Sequence, residues 1–149
     1  MQLSDLVSIL QAAVSPVVLI SGVGLLVLSM TNRLARVVDR SRQLGAARRG
    51  NSGGERTTVD AQLSILIRRA RLLRRAIRSS TWCVLMAAVL VIELFLSAFL
   101  RFDGTLISAL LFVSCLVFLI VALVSFLQDI NLSLVALDLE LEASGRSDA

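Results

Sequence analysis

The sequence contains no histidine, no lysine and no tyrosine, a single proline and only two cysteines among its 149 residues. Each absence removes a class of chemistry. Without histidine, neither a Ser–His nor a Cys–His nucleophile can be built, and histidine-ligated metal sites are excluded. The cysteines, Cys83 and Cys115, both fall inside apolar runs, where free cysteine packs as a small hydrophobe. Spacing alone does not decide whether they are bonded. No enzyme, metal or cofactor is expected from this inventory, because no nucleophile–base set is present.

What is abundant is apolar. Hydrophobic residues make up 56% of the chain, and the mean hydropathy is +0.84. The 17% of residues that are charged must therefore be segregated from the apolar runs. Residues 6–30 form one such run without a charge. At the helical rise it extends about 37 Å, longer than the roughly 30 Å hydrocarbon core of a bilayer. Residues 82–100 form a second, with Glu93 as its one charge, and residues 105–127 a third with none. Only Arg101-Phe102-Asp103-Gly104 separates the last two, so they are expected to form a tight antiparallel helical hairpin. The fold class expected is all-α: an integral membrane protein with three transmembrane helices. The first run follows Met1-Gln2-Leu3-Ser4-Asp5, with an acid and no base, so it reads as a retained anchor rather than a cleaved signal.

Charge gives the orientation. Thirteen of the fifteen arginines lie between Arg33 and Arg78, against the acids Asp39, Glu55 and Asp60, so this stretch carries +10 while the rest carries −6. By the positive-inside rule, residues 31–80 face the cytoplasm, with the N-terminus outside and the C-terminus inside. The location expected is the inner membrane of a bacterium.

The apolar period continues beyond each run. Leu34, Val37, Val38 and Leu44 follow the first. Leu63, Leu66, Ala70, Leu73 and Ile77 lead into the second, and Ile130, Leu134, Leu137 and Leu141 follow the third. Cytoplasmic helical extensions over 31–44, 58–81 and 128–143, packed as a bundle or stalk, are expected from this spacing. Residues 45–56, rich in glycine, read as a flexible connection. Thr57 with Asp60 reads as a capping box opening the next helix, and the tail is expected to fray from Ser144.

Three groups of polar residues need a reason. Glu93 lies about 10 Å from the outer end of its run, and Ser15-Pro16 about 14 Å from that of the first. A carboxylate at such depth usually has a partner, and Ser15, Gln11 and the Ala12 carbonyl freed by Pro16 are candidates. Glu93, Ser15 and Gln11 are thus an ion or proton site, or interhelical glue. Asp5, Ser8, Gln11, Ser15, Gly22, Ser29, Arg33, Arg36 and Arg40 share one helical face. That stripe lines a pore in a ring of subunits, or else buries its small residues against the other spans of the same chain. Finally, Arg68, Arg71, Arg75 and Arg78 share a face. They pair with Asp129, Asp138, Glu140 and Glu142, remain solvated, or meet anionic lipid or a cytoplasmic protein. No interleaved aromatics point to nucleic acid.

The chain resembles the bacterial domain-of-unknown-function family 2721, small proteins with three membrane helices. The residues that carry the resemblance are Ser15-Pro16 in the first span, Thr31-Asn32-Arg33 where it ends, and the charged helix entering the second span. It implies a fold and a membrane location, and no activity. Two functions from different classes stay open: a homo-oligomeric ion channel or pore with the first span on its axis, and a membrane-anchored scaffold or accessory subunit. The charge asymmetry supplies the first test. In intact cells, a cysteine introduced as Asn51→Cys is labelled by an impermeant reagent only after the inner face is opened; labelling from outside would overturn the orientation.

Overall fold

Helix is the one open-ended backbone form that satisfies every N–H and C=O within an apolar segment, and every described residue except Asp103 and Gly104 adopts it. The computed structural model describes the backbone over residues 3–50, 54–100 and 103–147, with side chains at Val7 and over 10–46, 59–100 and 103–133. Helix α1 spans Leu3–Gly50, α2 Gly54–Leu100 and α3 Thr105–Ser147. No strand occurs among the described residues. All three helices are long and apolar enough to cross a membrane, as the runs 6–30, 82–100 and 105–127 require. Each is also longer than a bilayer needs: the 48 residues of α1 rise about 72 Å. Pro16 sits inside α1 without ending it. Its ring is buried while Ala12, one turn earlier, is exposed.

The ends of the helices differ from the sequence expectation. The connection expected over 45–56 is helical as far as Gly50, and helix resumes at Gly54. Residues 51–53 lie outside the described residues. The reason lies in Ala46, Ala47, Arg48 and Arg49: alanine and arginine are strong helix formers, and one glycine costs only about 1 kcal/mol. Thr57 is consequently inside α2 rather than its cap. Similarly, α3 continues past Gly145 to Ser147 instead of fraying from Ser144.

Contacts gather the chain into two units, the first formed by Met1–Ser29 with Ile77–Ala122, the second by Met30–Ala76 with Leu123–Ala149. In the first, Val23, Cys83, Ala87 and Cys115 form the buried cluster, flanked by Leu19, Ile20, Val27, Val84, Met86, Phe118 and Leu119. Its centre is small side chains, which let helix backbones approach closely. Both cysteines are free and buried, and the Cys115 thiol donates to the Cys83 carbonyl at 3.5 Å. Trp82 stacks on Phe118, with ring centroids 6.2 Å apart. In the second unit Met30, Val37, Leu73 and Ala76 are buried. Only 17–22% of each apolar window is buried within the chain. Three helices alone therefore leave most of their apolar surface outward, as a bilayer or further copies demand.

Candidate functional site

A buried carboxylate ties the three helices together in the second unit. Asp129 of α3 has no solvent exposure. Its Oδ2 accepts from Nη1 of Arg33 on α1, and its Oδ1 from Nε of Arg69 on α2, both at 3.2 Å. The Arg33 guanidinium also lies over the Phe126 ring, 5.3 Å from its centroid, within cation–π range. Helical spacing puts each charge on a core-facing stripe: Arg33 between Met30 and Val37, Arg69 four residues before Leu73, Asp129 seven after Ala122. The arrangement ties one residue of each helix to a common carboxylate and so holds three helices in one register. Charged hydrogen bonds inside a low-dielectric core are strong only when every partner is present.

The sequence offered Asp129 as one partner for Arg68, Arg71, Arg75 and Arg78, beside a solvated face or contact with lipid or protein. Those four arginines are exposed. Their 3,4,3 spacing places them off the core face, whereas Arg69 shares the face of Leu73 and Ala76. A single charge interrupting a core stripe was the signal for Arg69, and the same signal marks Arg33. Asp138, Glu140 and Glu142 lie outside the described side chains.

Glu93 is also placed differently from expectation. Its Oε2 accepts from Ser108 Oγ, on the neighbouring α3 of the hairpin, while Gln11 and Ser15 are exposed. The Ser108 backbone N–H donates to the Gly104 carbonyl at 2.9 Å, which makes Gly104 the residue that opens α3. The Glu93 carboxylate therefore sits at the N-terminus of α3, where the helix dipole favours negative charge. The first turn of α3 holds no acid of its own. Glu93 Oε1 is buried without a hydrogen-bond partner, against Gly104, where an added Cβ would collide with it. The proximity of the hairpin turn explains the choice of partner: the turn brings Ser108 alongside, and Gly104 makes room for the carboxylate.

The first-span stripe has its described members on the surface of the chain. Gln11, Ser15, Gly22, Ser29, Arg36 and Arg40 are exposed, and Arg33 alone turns inward to Asp129. Asp5 and Ser8 lie outside the described side chains. Ala13, Pro16, Val23, Met30 and Val37 supply the buried face of α1. Burial of the stripe against the other spans of the same chain is thus not what the structure shows: nothing lies within 4 Å of a Cβ added at Gly22. Among the described residues no group of three histidine, cysteine or acidic side chains is placed to hold a metal.

Three membrane-length helices, pinned by one carboxylate between two arginines, define a small polytopic helical membrane protein. The chain belongs to the family described as protein of unknown function (DUF2721), whose model matches residues 13–139. The matched stretch includes Ser15-Pro16, Thr31-Asn32-Arg33, Arg69 and Asp129. No curated protein and no solved structure matches the chain.

Removing the clamp's centre strands two arginines facing a core. Asp129→Ala is expected to lower stability by about 3 kcal/mol, whereas Arg68→Ala on the exposed face stays within about 0.5 kcal/mol, read by unfolding in detergent. Equal effects would remove Asp129 from its central place. At the hairpin, Gly104→Ala is expected to cost about 1–3 kcal/mol by overpacking against Glu93. In a Glu93→Ala background the same change is expected to be tolerated, a non-additivity that a double-mutant cycle measures.

Proposed function

We propose that the chain is the subunit of a homo-oligomeric, pore-like protein of the bacterial inner membrane, with the polar stripe of α1 turned toward the axis of the assembly. The observation that carries this reading is the outward exposure of Gln11, Ser15, Gly22 and Ser29 along α1, next to exposed Val14, Val18, Leu25 and Leu28. Polar side chains facing hydrocarbon are costly unless water or another protein meets them. A second copy covers the stripe, or several copies enclose a water column along it. Exposed Arg36 and Arg40 continue the stripe and would ring the cytoplasmic exit, with residues 31–80 inside by their excess of arginine.

A second reading, a membrane-anchored accessory subunit, draws on the exposed arginine face of Arg68, Arg71, Arg75 and Arg78. Such a face suits an acidic partner and is not required for conduction.

Gly22→Leu separates the readings. Because nothing lies near a Cβ at Gly22, the isolated chain tolerates it, and its melting is expected to shift by no more than about 0.5 kcal/mol. In an assembly with the stripe on the axis, the leucine lowers the subunit number by native mass spectrometry, or cuts ion flux through reconstituted liposomes. A wild-type chain that remains monomeric in nanodiscs defeats the pore reading. An oligomer without flux, with or without the leucine, favours the accessory subunit.

A further inference from the structure

The second unit holds a groove between α1 and α2 that the clamp does not use. It is an open cleft of about 220 Å³. Leu66, Ile67 and Ala70 of α2, with Val38 of α1, give it an apolar floor, and Arg42, Arg71 and Arg74 stand around it. Ser41 also lines the cleft, but its hydroxyl already donates to the Val38 carbonyl at 2.7 Å. No acid among the described residues lines it. The three arginines are exposed, and none takes part in an ion pair among the described residues.

The floor lies outside the hydrocarbon. Asp129 is level with Arg69 through their ion pair, and Leu127 is the last residue of the apolar run of α3. Because α2 and α3 run antiparallel, Arg71 is level with Leu127, and Ala70, Ile67 and Leu66 lie progressively farther from the apolar run. Ile67 is nonetheless 48% exposed, an apolar side chain beyond the level of the acyl chains. The charges bracket this floor. Arg71 and Arg74 stand on its membrane side, while Arg42, the lining residue farthest along the departing α1, stands toward the opposite end. A phospholipid held by the arginines nearer the bilayer would have to turn its acyl chains away from it, and free phosphate would leave the floor bare. No aromatic side chain lines the cleft to stack on a nucleic-acid base. What matches is a segment with carboxylates at both ends of an apolar patch. From Leu66 to Arg74 the lining rises about 12 Å, two turns of a helix, and guanidiniums pair with carboxylates through two parallel N–H donors.

We propose that the groove docks an acidic amphipathic helix of a partner protein. Its apolar side lies on Val38, Leu66, Ile67 and Ala70, with carboxylates at Arg71 and Arg74 on one end and at Arg42 on the other, the helix-in-groove mode of recognition. This rests on the accessory-subunit reading and names the surface and the chemistry of the partner.

The test is fluorescence anisotropy with the full chain in phosphatidylcholine nanodiscs. The probe is a labelled synthetic peptide with glutamates at both ends of a helical leucine stripe, and the comparison is the same composition in scrambled order. Arg71→Gln/Arg74→Gln is expected to weaken binding about ten-fold, while Arg68→Gln/Arg75→Gln, on the same helix outside the groove, stays within about two-fold. Ile67→Ala, which changes no charge, is expected to weaken it about five-fold. Arg42→Gln is expected to weaken it about three-fold, and stands in if the first pair does not fold. Equal loss in both arginine pairs moves the acidic partner to the open arginine face, which overturns the groove and leaves the accessory-subunit reading standing. Equal binding of the scrambled peptide, or unchanged binding in Ile67→Ala, means attraction by charge alone and also overturns it. So does tighter binding of oligouridylate than of the peptide, which assigns the groove to nucleic acid, or loss of self-association in the groove variants, which assigns it to a second copy. Absence of peptide binding overturns the groove too; ion flux through the reconstituted oligomer is what counts against the accessory-subunit reading, so the two failures are told apart.

Discussion

Asp129 is fully buried, and two guanidiniums from different helices reach its two oxygens. An ionised carboxylate taken out of water is tolerable only with partners of opposite charge and good geometry. Arg33 and Arg69 come from different helices, so satisfying the acid brings α1, α2 and α3 to one register. An apolar seam of leucines accommodates a slip of a turn at little cost; a buried charge with two fixed partners does not. That gives Thr31-Asn32-Arg33 a physical meaning. Its arginine is a structural tie, with Phe126 beneath it, rather than one more member of the basic surface.

The first unit works on a different principle. Its centre is built from cysteine, alanine and valine, where the close approach of backbones replaces charge as the source of fit. At the hairpin, one acid takes on a task that the first turn of α3 does not fill from its own residues. Glu93 meets the N-terminus of α3 and Ser108, and Gly104 leaves space for it. An acid in an apolar run, which reads in sequence as a candidate ion site, is here partnered within the same hairpin.

What the single chain leaves uncovered bears on function. Apolar side chains dominate the outward faces of all three helices, and a bilayer accounts for them. Gln11, Ser15, Gly22 and Ser29 are different, because hydrocarbon is a poor neighbour for them. The proposed function therefore concerns what covers that stripe.

Much of this was legible in the residues themselves. Three apolar runs, each long enough to cross a bilayer, determine the number of helices and their membrane character, since hydrocarbon admits no unsatisfied backbone. A four-residue break determines the hairpin, and the excess of arginine over residues 31–80 predicts the orientation. Helix ends were less legible, because alanine and arginine carry α1 through a glycine that composition alone marks as a loop. The partners of the charged residues were decided only by tertiary structure. Helical periodicity says which residues share a face, but not which helix that face will meet. Thus Asp129 selected Arg33 and Arg69 over the conspicuous Arg68, Arg71, Arg75 and Arg78, and Glu93 selected Ser108 over Ser15 and Gln11. In each case the choice followed from what packing brought within hydrogen-bond reach.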